Sequence, residues 1–201
     1  MIHNYIFDFG NVLAEFHPEK LTAPFIKDEE LRKKIAEIVF DRLYWDKLDD
    51  GSITDEEVRE GIRSRVLKEY SDVACEVYDN WVHSLTPVFG MLELIVDLKQ
   101  ENGNLYLLSN ISIGFSERYK EVSWISELFS LFDGLVFSGP IGLIKPDKAI
   151  FEYLLRNYDL TPVDCLFIDD APRNIEGAKQ VGIQGYLFDG DAEKLRSYLR
   201  R

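Results

Sequence analysis

The feature that most constrains this chain is a short apolar run ending in a carboxylate: Tyr5-Ile6-Phe7 leads straight into Asp8, followed by Phe9-Gly10-Asn11-Val12-Leu13. The run does not alternate with polar residues, so residues 2–8 read as a strand buried on both faces, the pattern of a central strand in a parallel sheet. Two later stretches repeat the design. Leu105-Tyr106-Leu107-Leu108 ends in Ser109-Asn110, and Cys165-Leu166-Phe167-Ile168 ends in Asp169-Asp170. Ligands of open α/β sheets bind beyond the carboxyl ends of the strands, which predicts one site at these three strand ends, centred on Asp8.

After Leu13 the pattern changes. From about Pro18 to Leu85 the chain reads as successive helices with no convincing strand. Asp28-Glu29-Glu30 opens one of them, with Leu31, Ile35, Ile38, Val39 and Leu43 at helical spacing. Asp49-Asp50-Gly51-Ser52 has the composition of a turn. Thr54 and Glu57 then form a capping-box pattern ahead of Val58, Ile62, Val66 and Leu67. A last helix is predicted from about Ser71 to His83, and Pro87 closes the block. An all-helical insert directly behind a strand-ending carboxylate suggests a lid.

From Val88 onward helices and strands alternate, which implies a parallel sheet. A helix through Leu92, Ile95 and Leu98 precedes the strand 105–108. Helices near 112–121 and 124–131, a strand at 135–137 and a loop at 138–142 follow. The remainder is a helix at 147–158, the strand before Asp169, a helix at 173–181, a strand at 184–188 and a terminal helix from about Ala192. The expected architecture is an α/β, Rossmann-like, doubly wound parallel core of residues 1–15 and 87–201, with residues 16–86 as a small inserted α-helical cap.

With 201 residues the chain suffices for one such core and a small accessory domain. A net charge of −13 argues against a nucleic-acid partner, since phosphate backbones select positive surfaces. An anionic small molecule would need a cation or a few basic groups placed locally. Cys75 and Cys165 fit no metal-binding spacing and read as reduced core residues. No apolar stretch is long enough for a membrane span or a signal peptide, so no membrane partner and a cytoplasmic location are expected.

A lone aspartate past a strand usually caps a turn. Here two further strand ends carry Ser-Asn and Asp-Asp, a coincidence a single cap does not require. If Asp8, Asp169 and Asp170 converge, their mutual repulsion must raise their pKa values or be relieved by a cation. All-oxygen donors without His or Cys suit a hard divalent ion, with Mg²⁺ the first choice. Such an ion would also neutralise a phosphoryl group beside a carboxylate free to attack it. Lys145, between the glycine-rich 138–142 stretch and Pro146, is the candidate fixed cation. The Ser109 hydroxyl and the Asn110 backbone N–H are candidate phosphate donors, although Ser-Asn is also a routine helix start.

Together Asp8-Phe9-Gly10-Asn11-Val12, Leu108-Ser109-Asn110, Lys145-Pro146 and Asp169-Asp170 with Asn174 resemble the four ordered motifs of the haloacid dehalogenase-like (HAD) hydrolase superfamily. The first motif and the 167–178 stretch most resemble small bacterial sugar-phosphate phosphatases of the α-glucose-1-phosphate phosphatase type. The resemblance implies a phosphomonoesterase acting on a small phosphorylated metabolite. In it Asp8 is nucleophile and metal ligand, and Ser109, Asn110 and Lys145 bind the transferring phosphate. Lys145 also offsets charge at Asp8. Asp170 is the second metal carboxylate, Asp169 a direct or water-mediated one, the Gly10 carbonyl a further ligand, and Asn174 orients the shell. One departure matters. Most phosphatases of the superfamily carry a second aspartate two residues after the nucleophile as general acid/base, and this chain has Gly10 there. Glu15, His17, Asp46 and Asp50, near the expected hinge or cap tip, are the candidate substitutes. Two other readings stay open: a carbon–halogen hydrolase, disfavoured because Asp169-Asp170 would repel an anionic haloacid, and a weakly catalytic binding module of the same fold.

Overall fold

In the computed structural model, which describes residues 2–200, the first apolar run forms β1 (Asn4–Phe7). A two-residue strand β2 (Ala14–Glu15) follows and pairs antiparallel with β3 (Thr86–Pro87), Glu15 opposite Thr86. The helical insert therefore leaves and rejoins the rest of the chain through one short ladder. The other strands are β4 (Asn104–Ser109), β5 (Gly134–Phe137), β6 (Cys165–Asp169) and β7 (Gln184–Leu187). They build an all-parallel five-stranded sheet in the order β5-β4-β1-β6-β7, with β1 in the middle. Phe7 is level with Leu107 on one side and Ile168 on the other, so Asp8 emerges between the ends of β4 and β6.

Both faces of the sheet are covered because side chains alternate along each strand. Phe7, Leu105, Leu107, Leu166 and Ile168 pack on one face, and Ile6, Tyr106, Leu108, Cys165 and Phe167 on the other. The first face carries Met91–Gln100, Ser123–Phe129 and Ala192–Leu199; the second carries Lys148–Asn157 and Pro172–Gln180. Phe7, Phe151 and Phe167 are fully buried, each gaining about 1.5–3 kcal/mol from leaving water.

The insert has a core of its own, centred on Ile35, Val39, Tyr44, Val58, Ile62 and Val77. Its helices are α1 (Pro18–Thr22), α2 (Glu29–Val39), α3 (Arg42–Asp49), α4 (Asp55–Arg65) and α5 (Ser71–Asn80). The single helix predicted through Leu43 is in fact two. The Asp41 side chain accepts the Leu43 N–H at 2.9 Å and starts α3 anew, leaving Leu43 exposed. The Thr54/Glu57 capping box forms as predicted, but α4 stops at Arg65 and Leu67 lies in solvent. The last insert helix ends at Asn80, and Trp81–Ser84 continue as a 3₁₀ turn. The predicted 138–142 loop holds one helical turn, Ser138–Ile141, stopped by Gly142 in the left-handed region at φ +66°. Cys75 and Cys165 are both buried. Among the described residues no helix is long and apolar enough to cross a membrane.

Candidate active site

Asp8 continues the β1 ladder by one residue, donating its N–H to the Ile168 carbonyl at 2.9 Å. Beyond it the chain folds into a tight turn in which Leu13 and Ala14 both donate to the Phe9 carbonyl. Asn11 occupies the left-handed region there, φ +56°, a conformation asparagine tolerates better than most residues. Its side chain ties two segments together. Nδ2 donates to Asp170 Oδ2 at 3.2 Å, and Oδ1 accepts the Phe16 N–H at 3.1 Å.

Lys145 lies between two carboxylates, its Nζ 2.7 Å from Asp8 Oδ1 and 2.8 Å from Asp169 Oδ2, and it is only 2% exposed. Its backbone is gripped by the Asn110 side chain, which donates to the Lys145 carbonyl at 3.0 Å and accepts the Lys145 N–H at 2.8 Å. The Asn110 amide thus holds the lysine loop, and what it leaves for an incoming anion is its backbone. Asp169, fully buried, is the hub. One oxygen accepts from the Ala171 N–H at 2.8 Å, the other from Lys145, and Asn174 Nδ2 is 3.0 Å from both. The Lys145 ammonium also sits 5.3 Å from the Phe167 ring centroid.

Burial pushes the Asp8 carboxyl up to about 7, against the pull of Lys145 and with the push of Asp169. Burial likewise raises Asp170, with Asp169 adding to it. Burial opposes the Lys145 charge, yet Asp8 and Asp169 hold the ammonium above its ordinary value. Oxygens of Asp8, Asp169 and Asp170 lie within 4.8 Å of one another, three carboxylates against one ammonium. Asn174 Oδ1 is buried without a hydrogen-bond partner among the described residues. An excess of hard oxygen donors, with an acceptor left over beside them, fits a small divalent cation carrying its own water.

Asp8, Ser109, Asn110, Lys145, Asp170 and Asn174 all face one cavity of about 290 Å³. The sheet's end forms its floor and the helical insert its roof. On the roof Phe16 packs edge-on against Phe40, Trp45 and Trp81, ring centroids 5.2–5.7 Å apart. Gly10 also lines the cavity, and a Cβ built there would meet nothing within 4 Å.

None of the four candidate substitutes for the missing acid lines this cavity. Glu15 is paired with Lys20 at 2.9 Å, and His17 lies in separate grooves. Asp46 is exposed and paired with Arg42 at 2.7 Å, and Asp50 accepts the Ser52 N–H at 2.9 Å within its own turn. Three charged residues that the strand-end pattern does not reveal are present instead: Arg42, Asp49 and Arg173. The one signal for the first two is helical spacing, because Arg42, Trp45 and Asp49 fall on a single face of α3.

A parallel sheet with an inserted helical roof and a lysine shared between strand-end carboxylates defines a class of hydrolase. The family model for haloacid dehalogenase-like hydrolases matches residues 2–182, and the chain belongs to that family. It is 26% identical over 180 residues to the sesquiterpene phosphatase astK of Aspergillus oryzae, covering 90% of this chain and 86% of that one. It is 26% identical over 201 residues to the D-ribitol-5-phosphate phosphatase of Bacteroides thetaiotaomicron, covering 96% and 95%. A crystal structure of a HAD family enzyme from Bacteroides thetaiotaomicron, in complex with magnesium and inorganic phosphate, superposes with a TM-score of 0.70 at 25% identity, covering 97% of this chain and 99% of that one.

Proposed function

We propose that this hydrolase is a Mg²⁺-dependent phosphomonoesterase that removes phosphate from a small phosphorylated metabolite, a sugar phosphate being the first choice, through an aspartyl-phosphate on Asp8. The observation that carries the reading is the placement of Asp8: its carboxylate is held by Lys145 beside Asp170 and opens onto a roofed cavity. Relatives named as phosphatases support the reaction class, and a magnesium–phosphate complex of a structural neighbour supports the ion.

In this reading Asp8, Asp170 and the Gly10 carbonyl hold the cation. Asp169, both of whose oxygens already accept hydrogen bonds, anchors Lys145 and Asn174 and reaches the cation through water. When bound, the cation supplies charge neutralisation at the phosphoryl oxygens. The protein does the rest. Asp8 presents one oxygen to phosphorus, Lys145 offsets charge on Asp8 and the incoming phosphate, and Ser109 with the Asn110 N–H receives phosphate oxygens. The insert of residues 16–86 acts as a cap that excludes water and contacts the leaving group. The carboxylate cluster is also the reason to set aside the carbon–halogen alternative, since it leaves no room for an unneutralised anionic substrate.

The test is release of inorganic phosphate from p-nitrophenyl phosphate and from a panel of sugar phosphates, with Mg²⁺ and then with excess EDTA. Activity in Mg²⁺ that EDTA abolishes is expected, as is loss of at least about 10³-fold in Asp8→Asn with an unchanged circular dichroism spectrum. Chelation-insensitive turnover, or a fully active Asp8→Asn variant, would overturn the reading.

A further inference from the structure

Gly10 leaves a task unassigned. An alcohol leaving group must collect a proton as its bond to phosphorus breaks, and the groups packed around Asp8 are committed. Lys145 is shared by two carboxylates, Asp169 is saturated with donors, and the Asn110 amide holds the lysine loop. The floor of the cavity has no spare acid.

The roof has one. Asp49, in the last turn of α3, lines the cavity and lies close enough to Asp8 and Lys145 to feel both charges. Its position is set from the core side. Ser138 Oγ donates to the Asp49 carbonyl at 2.5 Å while accepting the Ile111 N–H at 2.8 Å, which ties the end of α3 to the segment just after Asn110. Two residues on, Gly51 at φ +74° seats so closely that a Cβ there would lie 2.5 Å from the Gly139 carbonyl oxygen. An aspartate on a loose lid would not need such docking.

We propose that Asp49 is the general acid of the reaction and, in its second half, the general base, the role for which Gly10 has no side chain. This rests on the phosphomonoesterase reading above. In the first step an Asp8 oxygen bonds to phosphorus, the ester P–O bond breaks, and its electron pair goes to the leaving oxygen, which takes the Asp49 proton. In the second, water attacks phosphorus and gives a proton to the Asp49 carboxylate, and the broken P–O bond returns its pair to Asp8. The sum is ester plus water to alcohol plus phosphate, with Asp49 protonated again. Burial pushes the Asp49 carboxyl up to about 7, Arg42 pulling back and Asp46 and Asp8 adding to the push. Lys145 pulls it back from the floor, and Asp170 and Arg173 line the same cavity. An acid with that balance is partly protonated near neutral pH.

The experiment compares wild type and Asp49→Asn on aryl phosphates of rising leaving-group basicity, from p-nitrophenyl to phenyl phosphate, reading kcat/KM for the bond-breaking step. Wild type is expected to show little dependence on the leaving group. Asp49→Asn is expected to lose less than about 10-fold on p-nitrophenyl phosphate and about 10²-fold or more on phenyl phosphate. It should also show a stoichiometric burst of p-nitrophenol as the phosphoenzyme accumulates. Gly10→Asp, placed in open space, is expected to restore the shallow dependence in the Asp49→Asn background, which a merely structural role for Asp49 would not allow. Asp49→Ala, which also lacks the acid, supplies the same comparison if the amide variant fails to fold, and Asp49→Glu, which retains it, is expected to keep the shallow dependence. If wild type hydrolyses none of these esters, the phosphomonoesterase reading falls. If it hydrolyses them and Asp49→Asn keeps the wild-type leaving-group dependence without a burst, the assignment of Asp49 alone is overturned.

Discussion

The floor and the roof of the cavity are built by different rules. On the floor, Asp8, Ser109 and Asp169 are brought together by strand register, so one residue of slip would move each to the opposite face of the sheet. Their charges are then satisfied locally, Lys145 serving two carboxylates and Asn174 bracing the hub. On the roof, Asp49, Trp45 and Arg42 arrive by docking of one helical layer onto another, through Ser138 and the Gly51–Gly139 approach. Register fixes the floor to the backbone ladder, whereas the roof depends on a few contacts at its tip. Breaking the contacts that hold the floor together should therefore cost stability first, whereas loosening the tip of the roof should cost mainly kinetics.

The largest expected effect on that contrast comes from Lys145→Met. It leaves Asp8 and Asp169 buried without their shared cation, and urea unfolding at pH 8 is expected to show a loss of about 3–5 kcal/mol. A loss below about 1 kcal/mol would mean that the floor is not held together by this pair. Next is Gly51→Ala. Its methyl group meets the Gly139 carbonyl and its backbone must keep a positive φ, so the tip of the cap moves off. About 1 kcal/mol of stability should be lost, against a 10- to 100-fold fall in kcat/KM. Unchanged kinetics would show that the tip does not set the position of catalytic groups.

The most gradual effect is in the pH dependence of stability without metal. Asp8 and Asp49 are both pushed up to about 7, far above the ordinary aspartate value of 3.8. Between about pH 4 and 7 the folded chain keeps protons that the unfolded chain has released. Stability is then greatest below that window and falls as pH rises through it, by at most about 1.4 kcal/mol per pH unit for each group. Thermal melts of chelator-treated protein from pH 5 to 8 should show this fall, and Asp49→Asn should make it shallower. A melt curve of equal slope in the variant would place the Asp49 carboxyl in open solvent.

The same contrast explains what was legible in the sequence. Apolar runs ending in Asp8, Ser109 and Asp169 announced the sheet and the floor because an unbroken apolar run and the polar residue that ends it are local signals. The helical insert was legible too, through its spacing and the Thr54 capping box. The break before α3 was missed because Leu43 continues the helical spacing of Leu31 and Ile35, although Asp41 is itself a capping residue. Asp46, Asp49 and Asp50 stand within one turn and a fraction of another, and composition could not say which faces inward. Only the packing of α3 over the sheet's end selects Asp49 and turns Asp46 to solvent. The Asn110 side chain was equally opaque, since its partners lie 35 residues away.

The aromatic roof gives the molecule a built-in optical gauge. Of its three tryptophans, Trp45 and Trp81 stand 5.1 Å apart on the roof, with Trp81 stacked on Phe115 of the core at 5.9 Å. Any parting of the two layers would unstack that ring and admit water beside both indoles. Ultraviolet emission from the unlabelled protein should therefore shift to the red as the cavity opens and return as it closes, so stopped-flow fluorescence could time that motion without a dye.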